Sequence, residues 1–217
     1  MERVTSLNKA KEILGYNFIG LEELKSIQKE MGIHIPINIK NAVPKIGFSE
    51  HLLKNKKNDY ILILGIPFYK DGSPLTINKM REHFGWDPNI SEPCFYNQDW
   101  YLKERFACEN TFEQKWYLVK KRVFEEHRGK TTKDIENIKT IQLPSAILCS
   151  FVFYAYYFHS NKEILWKNDF IWCSDRDSND DQIYVGRYCD SRGMNKNGFN
   201  IHRYLQINNK YSFIEMA

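Results

Sequence analysis

Apolar residues near the start of the chain recur at helical spacing. Leu7, Ala10, Ile13 and Leu14 share one face of a helix that Thr5 or Ser6 can cap and Gly15 can stop. Leu21, Leu24, Ile27 and Met31, with Gln28 among them, repeat the pattern between Gly20 and Gly32. The two runs predict a helical hairpin over residues 1–32, joined by Tyr16-Asn17-Phe18-Ile19-Gly20, that is either an appendage recruiting a partner or a lid on the core. Strand patterns follow at Ile33-His34-Ile35-Pro36-Ile37 and Tyr60-Ile61-Leu62-Ile63-Leu64-Gly65-Ile66. The second is apolar on both faces and predicts a central strand. Lys54 to Asp59, between them, reads as a polar loop.

Thr76 opens a short helix through Met80, His83 and Phe84, and Gln98 to Cys108 predicts another. Trp116-Tyr117-Leu118-Val119 is strand-like and Gly129 to Lys133 a turn. Ala146 to Phe158 is the longest apolar run, too short for a membrane span, and predicts a buried helix with Pro144 at its favoured first position. The last fifty residues alternate strand and polar loop. Ile171-Trp172-Cys173-Ser174 leads into the acidic run Asp175 to Asp181, then Ile183 to Tyr188, a Gly/Asn loop, and Gly198 to Tyr204. With no repeat, low-complexity tract or linker, the order predicts a single α+β domain over residues 1–217, a mixed or antiparallel sheet with flanking helices.

Composition adds little until the aromatics are counted. At 217 residues, 42% hydrophobic and 27% charged, the chain reads as an ordinary globule; 15% aromatic residues, with 13 Tyr, 14 Phe and 5 Trp, serve cores and binding faces alike. The net charge of +4 is too mild to demand nucleic acid, although Lys54, Lys56, Lys57 and Lys115, Lys120, Lys121, Arg122 form two basic clusters. Five widely spaced cysteines without a Cys-x-x-Cys pair exclude a zinc ribbon or thioredoxin-like chemistry. They fit free thiols in a reducing cytoplasm, as does an N-terminus with no apolar leader.

Few constellations suggest chemistry. Asp175, Asp177 and Asn179 stand at positions one, three and five of a calcium-loop spacing, but Asp180 replaces the glycine at position six and Gly186 the glutamate at position twelve. The stretch is therefore not an EF-hand; a weak calcium site and a solvated acidic turn are the two readings, and no other cofactor is expected. Asp99 with Glu113-Gln114-Lys115 resembles in spacing the PD-(D/E)xK nuclease core, in which two carboxylates hold Mg²⁺ and a lysine aids the attacking water. The histidines lack metal-ligand spacing, and neither a Gly-x-Ser-x-Gly nor a phosphate-binding glycine loop occurs. Pro93 to Tyr101 is dense in aromatics and amides, the groups that stack on sugars or bases and read hydroxyls, or that anchor a helix in the core.

Residues 143–205 carry a resemblance. Leu143-Pro144 before a helix, the Trp strand Ile171-Trp172-Cys173-Ser174, then Val185-Gly186-Arg187-Tyr188 and Gly198-Phe199-Asn200-Ile201-His202-Arg203 follow an order similar to the C-type-lectin-like fold. The likeness is to the version found in formylglycine-generating-enzyme-like domains and in variable proteins of diversity-generating retroelements. The enzyme's Gly-Asn-Val-Trp-Glu-Trp and Arg-Gly-Gly-Ser signatures are missing, so the resemblance implies a display of loops to a ligand and not the oxidase chemistry. The expected face lies around 175–181 and 190–200, with Trp172, Arg187, Tyr188, Asn195, Asn197, His202 and Arg203 as ligand-binding residues. The leading expectation is a non-catalytic binding protein for a protein or small polar ligand, with nucleic acid less favoured and no membrane partner. A Mg²⁺-dependent nuclease using Asp99, Glu113 and Lys115 is the enzyme alternative, and a structural or assembly protein of a phage or mobile element the third.

Overall fold

The computed structural model describes residues 5–131, 133–134, 142–203 and 210–216. Residues 1–4 of the predicted hairpin, Thr132 of the predicted turn and residues 204–205 at the end of the lectin-like stretch lie outside them. The fold is α+β, with two sheets. Ser6 caps α1 (Leu7–Leu14), accepting from Lys9 N, and after a 3-10 turn the chain enters β1 (Phe18–Ile19). Next come α2 (Leu21–Ser26), α3 (Gln28–Met31), α4 (Glu50–Lys56), β2 (Tyr60–Leu64), α5 (Ile77–Phe84), α6 (Arg105–Cys108) and β3 (Trp116–Lys120). The C-terminal part holds α7 (Ala146–His159), β4 (Phe170–Arg176), β5 (Gln182–Tyr188), β6 (Gly198–Arg203) and β7 (Tyr211–Ser212).

The first sheet has the order β1-β2-β3, with β1 parallel and β3 antiparallel to β2. All five residues of β2 are buried, so this strand is central as its two-faced apolar pattern requires. The second sheet has the order β6-β5-β4-β7, antiparallel except for the β4–β7 pair. Between them α7 packs on α3, α5, β4 and β5, and every residue from Ala146 to Tyr157 is buried. A helix apolar all round has no face to offer water and belongs in the interior. The buried Ser150 hydroxyl donates to Ala146 O at 2.8 Å. Aromatic stacking fills the space towards the second sheet, with Phe84 on Tyr154 at 3.8 Å and Phe153 against Phe199 at 4.8 Å.

Several sequence expectations change. The hairpin is not an appendage: Ala10, Leu14, Leu24 and Met31 join the main core, and its connector supplies β1. Its second helix breaks at Ile27 into α2 and α3. Ile33 to Ile37 is not a strand. Ile33 makes one isolated bridge to Tyr69, and Pro36, lacking a donor, leads into a 3-10 helix over Ile37–Ala42. The Lys54 to Asp59 loop shrinks because Ser49 caps α4, which runs to Lys56. Of Gln98 to Cys108 only Arg105–Cys108 is helical, since Trp100 Nε1 donates to Ile201 O and Leu102 O accepts from Asn78, outside any helix ladder. Pro144 stands before α7; the cap is Ser145, whose hydroxyl accepts from Leu148 N.

Candidate functional site

The ligand-sized feature near the expected face arises where a distant loop docks on β6. Phe199 N donates to Cys94 O and Tyr96 N to Phe199 O, both at 2.9 Å, so residues 94–96 run along the edge of β6. Gly198 permits that approach. Its position faces the backbone of Tyr96 so closely that any Cβ would overlap the Tyr96 Cα and N. The docking carries the turn after α5, residues 85–91, against the loop between β5 and β6, and Asn195 Nδ2 donates to Asn89 Oδ1 across the gap at 2.7 Å.

The result is a cleft of about 390 Å³ whose walls include Trp86, Asn89, Tyr96, Asn97, Asn195 and Asn197. Its charged groups, Asp87 and Lys196, offset each other. Trp86 is 47% exposed with the Arg81 guanidinium 4.6 Å from its ring, and Met194 on the opposite wall is 54% exposed. Both loops are braced internally. Asp87 Oδ1 accepts from Asn89 N, Asp190 accepts from Arg192 N and Lys196 N, and Asp190 N donates to Asn197 Oδ1. The backbone donors of Arg192 and Lys196 hold the Asp190 carboxyl below its ordinary range. These are side-chain-to-backbone turns that fix a loop without burying it.

Of the expected ligand-binding residues, Asn195 and Asn197 line this cleft, and Tyr188 stands beside it, edge-on to Tyr96 at 5.7 Å. The other four are placed elsewhere, as structural groups. Trp172 belongs to a small satellite core with Tyr184, Tyr211 and Phe213, and its indole N–H donates to Lys130 O at 3.2 Å. Arg187 is 2% exposed and ion-paired with Glu92. Burial pushes the Glu92 carboxyl up, against the pull of that guanidinium. His202 stacks on Tyr184 at 5.6 Å and meets Gln98 Nε2 at 3.2 Å, and burial brings its pKa down to about 4. Arg203 pairs with Asp177 and lies 4.6 Å from the Trp100 ring.

The acidic loop spends its oxygens on the protein. Asp175 accepts from Ala146 N at 2.6 Å, at the start of α7, and from Asn110 Nδ2 at 2.8 Å; burial raises its pKa. Asp177 accepts from Asn179 N and Asp181 N at 2.9 Å and from Arg203. Burial pushes that carboxyl up, and the Arg203 guanidinium and the loop amides more than offset it, holding it below its usual range. Asn179 is exposed. Among the described residues no three His, Cys, Asp or Glu side chains gather as a metal set.

The nuclease trio is spread over two settings. Asp99 is exposed in the turn segment beside β6, while Glu113 and Lys115 pair with each other at 2.8 Å on the lip of β3. That lysine holds the Glu113 carboxyl down, and its ammonium lies 5.3 Å from the Tyr117 ring. The aromatic segment from Pro93 to Tyr101, which lies before the helix Arg105–Cys108, divides between interior and surface. Phe95 and Tyr101 enter the core, while Tyr96 and Asn97 reach the cleft. Sequence reasoning missed Trp86 and Asn89. Their signal was a tryptophan in a polar turn, Gly85-Trp86-Asp87-Pro88-Asn89, where neither helix nor strand needs one. Comparison with protein-family models, curated proteins and solved structures gave no match to this chain.

Proposed function

We propose that the chain is a non-catalytic binding protein whose cleft between residues 86–97 and 194–197 takes a neutral saccharide. The observation that carries the reading is the convergence of two aromatic rings, Trp86 and Tyr96, with the carboxamides of Asn89, Asn97, Asn195 and Asn197 on one cleft. A sugar ring offers an apolar C–H face to stack on an aromatic plane, and hydroxyls that both donate and accept. Carboxamides match that dual character, as carboxylates and ammonium groups do not. The balanced charge of Asp87 and Lys196 favours a neutral ligand over a nucleotide or a nucleic-acid strand, which would need a cationic wall. The likeness of residues 143–205 to the C-type-lectin-like fold agrees with this, because that fold presents irregular loops to ligands.

The test is titration of the full chain with a panel of neutral mono- and oligosaccharides, followed by calorimetry and tryptophan fluorescence. At least one saccharide is expected to bind saturably, and Trp86→Ala and Asn195→Ala are each expected to weaken it about tenfold or more, as loss of a stacking face or of paired hydrogen bonds does. Trp86 is half exposed, so far-UV circular dichroism stays unchanged in its variant. Equal binding by wild type and Trp86→Ala overturns the site; binding of nucleosides but of no saccharide overturns the ligand class.

A further inference from the structure

A second cleft, of about 500 Å³, opens where the first sheet ends, lined by Asp59, Lys121, Arg122, Glu163, Trp166 and Lys167 among others. Of the two basic clusters in the sequence, Lys121 and Arg122 reach its wall, placed there by the pairing of β2 with β3. Tyr60 lies opposite Lys120, and Lys121 N donates to Asp59 O at 2.8 Å, so 54–57 and 120–122 arrive at one end of the sheet. Most of these cations are engaged. Lys54 pairs with Glu50, Lys56 with Glu215 and Lys115 with Glu113; Lys120 lies over Tyr60 and Phe124, and Lys121 donates to Asn17 Oδ1. Arg122 and Lys167 are exposed and have no side-chain partner among the described residues.

The wall between them holds an unmet donor. Trp166 is 3% exposed, it lines the cleft, and its indole Nε1 finds no acceptor among the described residues. Its backbone is also left-handed, with φ 49°, as are Asn161, Lys162 and Asn168 in the same segment, a conformation uncommon for a bulky residue. On the acidic side of the cleft Arg128 neutralises Asp169 at 2.8 Å, and Tyr156 donates to one oxygen of Glu163 at 3.0 Å. Asp59 and Glu163 are left as acceptors for hydroxyl groups.

From these groups we infer that the cleft binds a small phosphomonoester of a polyol, its phosphoryl oxygens held by Arg122 and Lys167 and its hydroxyls by Asp59 and Glu163. Arginine forks two phosphate oxygens and lysine supplies a point charge, the division of labour that phosphate sites use. The cleft volume falls in the range of small-ligand sites, so the ligand is a free metabolite-sized molecule and not a polymer. The proposal is independent of the saccharide reading, which uses other residues.

Isothermal titration of the full chain with inorganic phosphate, a sugar phosphate and a nucleoside monophosphate, each beside its dephosphorylated parent, tests it. A phosphomonoester is expected to bind saturably, and removal of the phosphoryl group to weaken binding at least tenfold. Arg122→Ala and Lys167→Ala are each expected to weaken it about tenfold, while Lys54→Ala and Trp86→Ala leave it unchanged. The two phosphomonoesters distinguish a sugar source from a nucleotide. In the Trp86→Ala chain, whose saccharide cleft is impaired, binding of parent and phosphomonoester alike, wild-type affinity on adding Arg122→Ala and Lys167→Ala, or no saturable binding at millimolar ligand would each overturn the inference.

Discussion

His202 illustrates how a single side chain changes role once its neighbours are known. On the sequence it edges a polar loop and reads as a ligand contact; in the fold it is a neutral imidazole stacked on Tyr184, with its pKa brought down to about 4 by burial. The unfolded chain protonates this group near pH 6.5, so its stabilising share is complete above that value and is lost as pH falls from about 6.5 to 4. At pH 5 the loss amounts to about 2 kcal/mol, or roughly 4–8 °C of melting temperature for a chain of this size. Thermal unfolding at pH 7 and pH 5 is expected to show a larger drop for the wild type than for His202→Phe, which keeps the stack and removes the titration. Equal drops would mean that the imidazole is solvated. Arg187 was more legible than it was read to be. It follows Ile183 and Val185 at strand period along β5, so period alone puts it on the face of the main core, while Tyr184 on the other face joins the satellite core.

At the scale of elements, local signals carried well and long-range ones did not. The caps Ser6 and Thr76, the two-faced β2 and the all-apolar α7 were readable because each is decided within about ten residues. Ile33 to Ile37 misled because its apolar residues suit a strand while Pro36, its fourth residue, denies the ladder a donor. Nothing local announces that residues 94–96 will lie along β6, a hundred residues later, yet that contact creates the saccharide cleft. Gly198 is its hinge pin. Gly198→Ala forces a methyl group into the Tyr96 backbone and is expected to cost about 1–3 kcal/mol, the usual price of overpacking, and to weaken saccharide binding with it. Gly47→Ala, where a Cβ meets open space, is the control. Urea denaturation of the two variants, with titration of the same proteins, measures both effects. A Gly198→Ala chain with wild-type stability and affinity would show that loop and strand are not docked.

On the whole-molecule scale the decisive fact is that one core serves both sheets. Ile19, Leu62 and Leu118 from the first sheet, Phe151 from α7, and Ile171, Val185 and Ile201 from the second belong to the same cluster of buried residues. The N-terminal hairpin is part of that core, which sequence periodicity cannot reveal, since an amphipathic helix shows that it has an apolar face but not what covers it. Its Leu14, Phe18, Ile19, Leu24, Ile27 and Met31 are all buried. At about 1.5–3 kcal/mol for each such side chain, their burial rivals the entire net stability of about 5–15 kcal/mol typical of a folded domain. Removing residues 1–32 would also strip β1 from β2, leaving the Leu62 and Ile63 backbone as an unpaired apolar edge that invites association. The chain from residue 33 onward is therefore expected to be unfolded or aggregated, with lost near-ultraviolet circular dichroism and dye binding to exposed apolar surface. The full chain should lose its near- and far-ultraviolet signals in one coincident transition, because the main core spans both sheets and the second sheet adds only a small satellite cluster. A truncated chain that stays monomeric and melts as the full chain does would instead make the hairpin a dispensable docking piece, and would return partner recruitment to the first thirty residues.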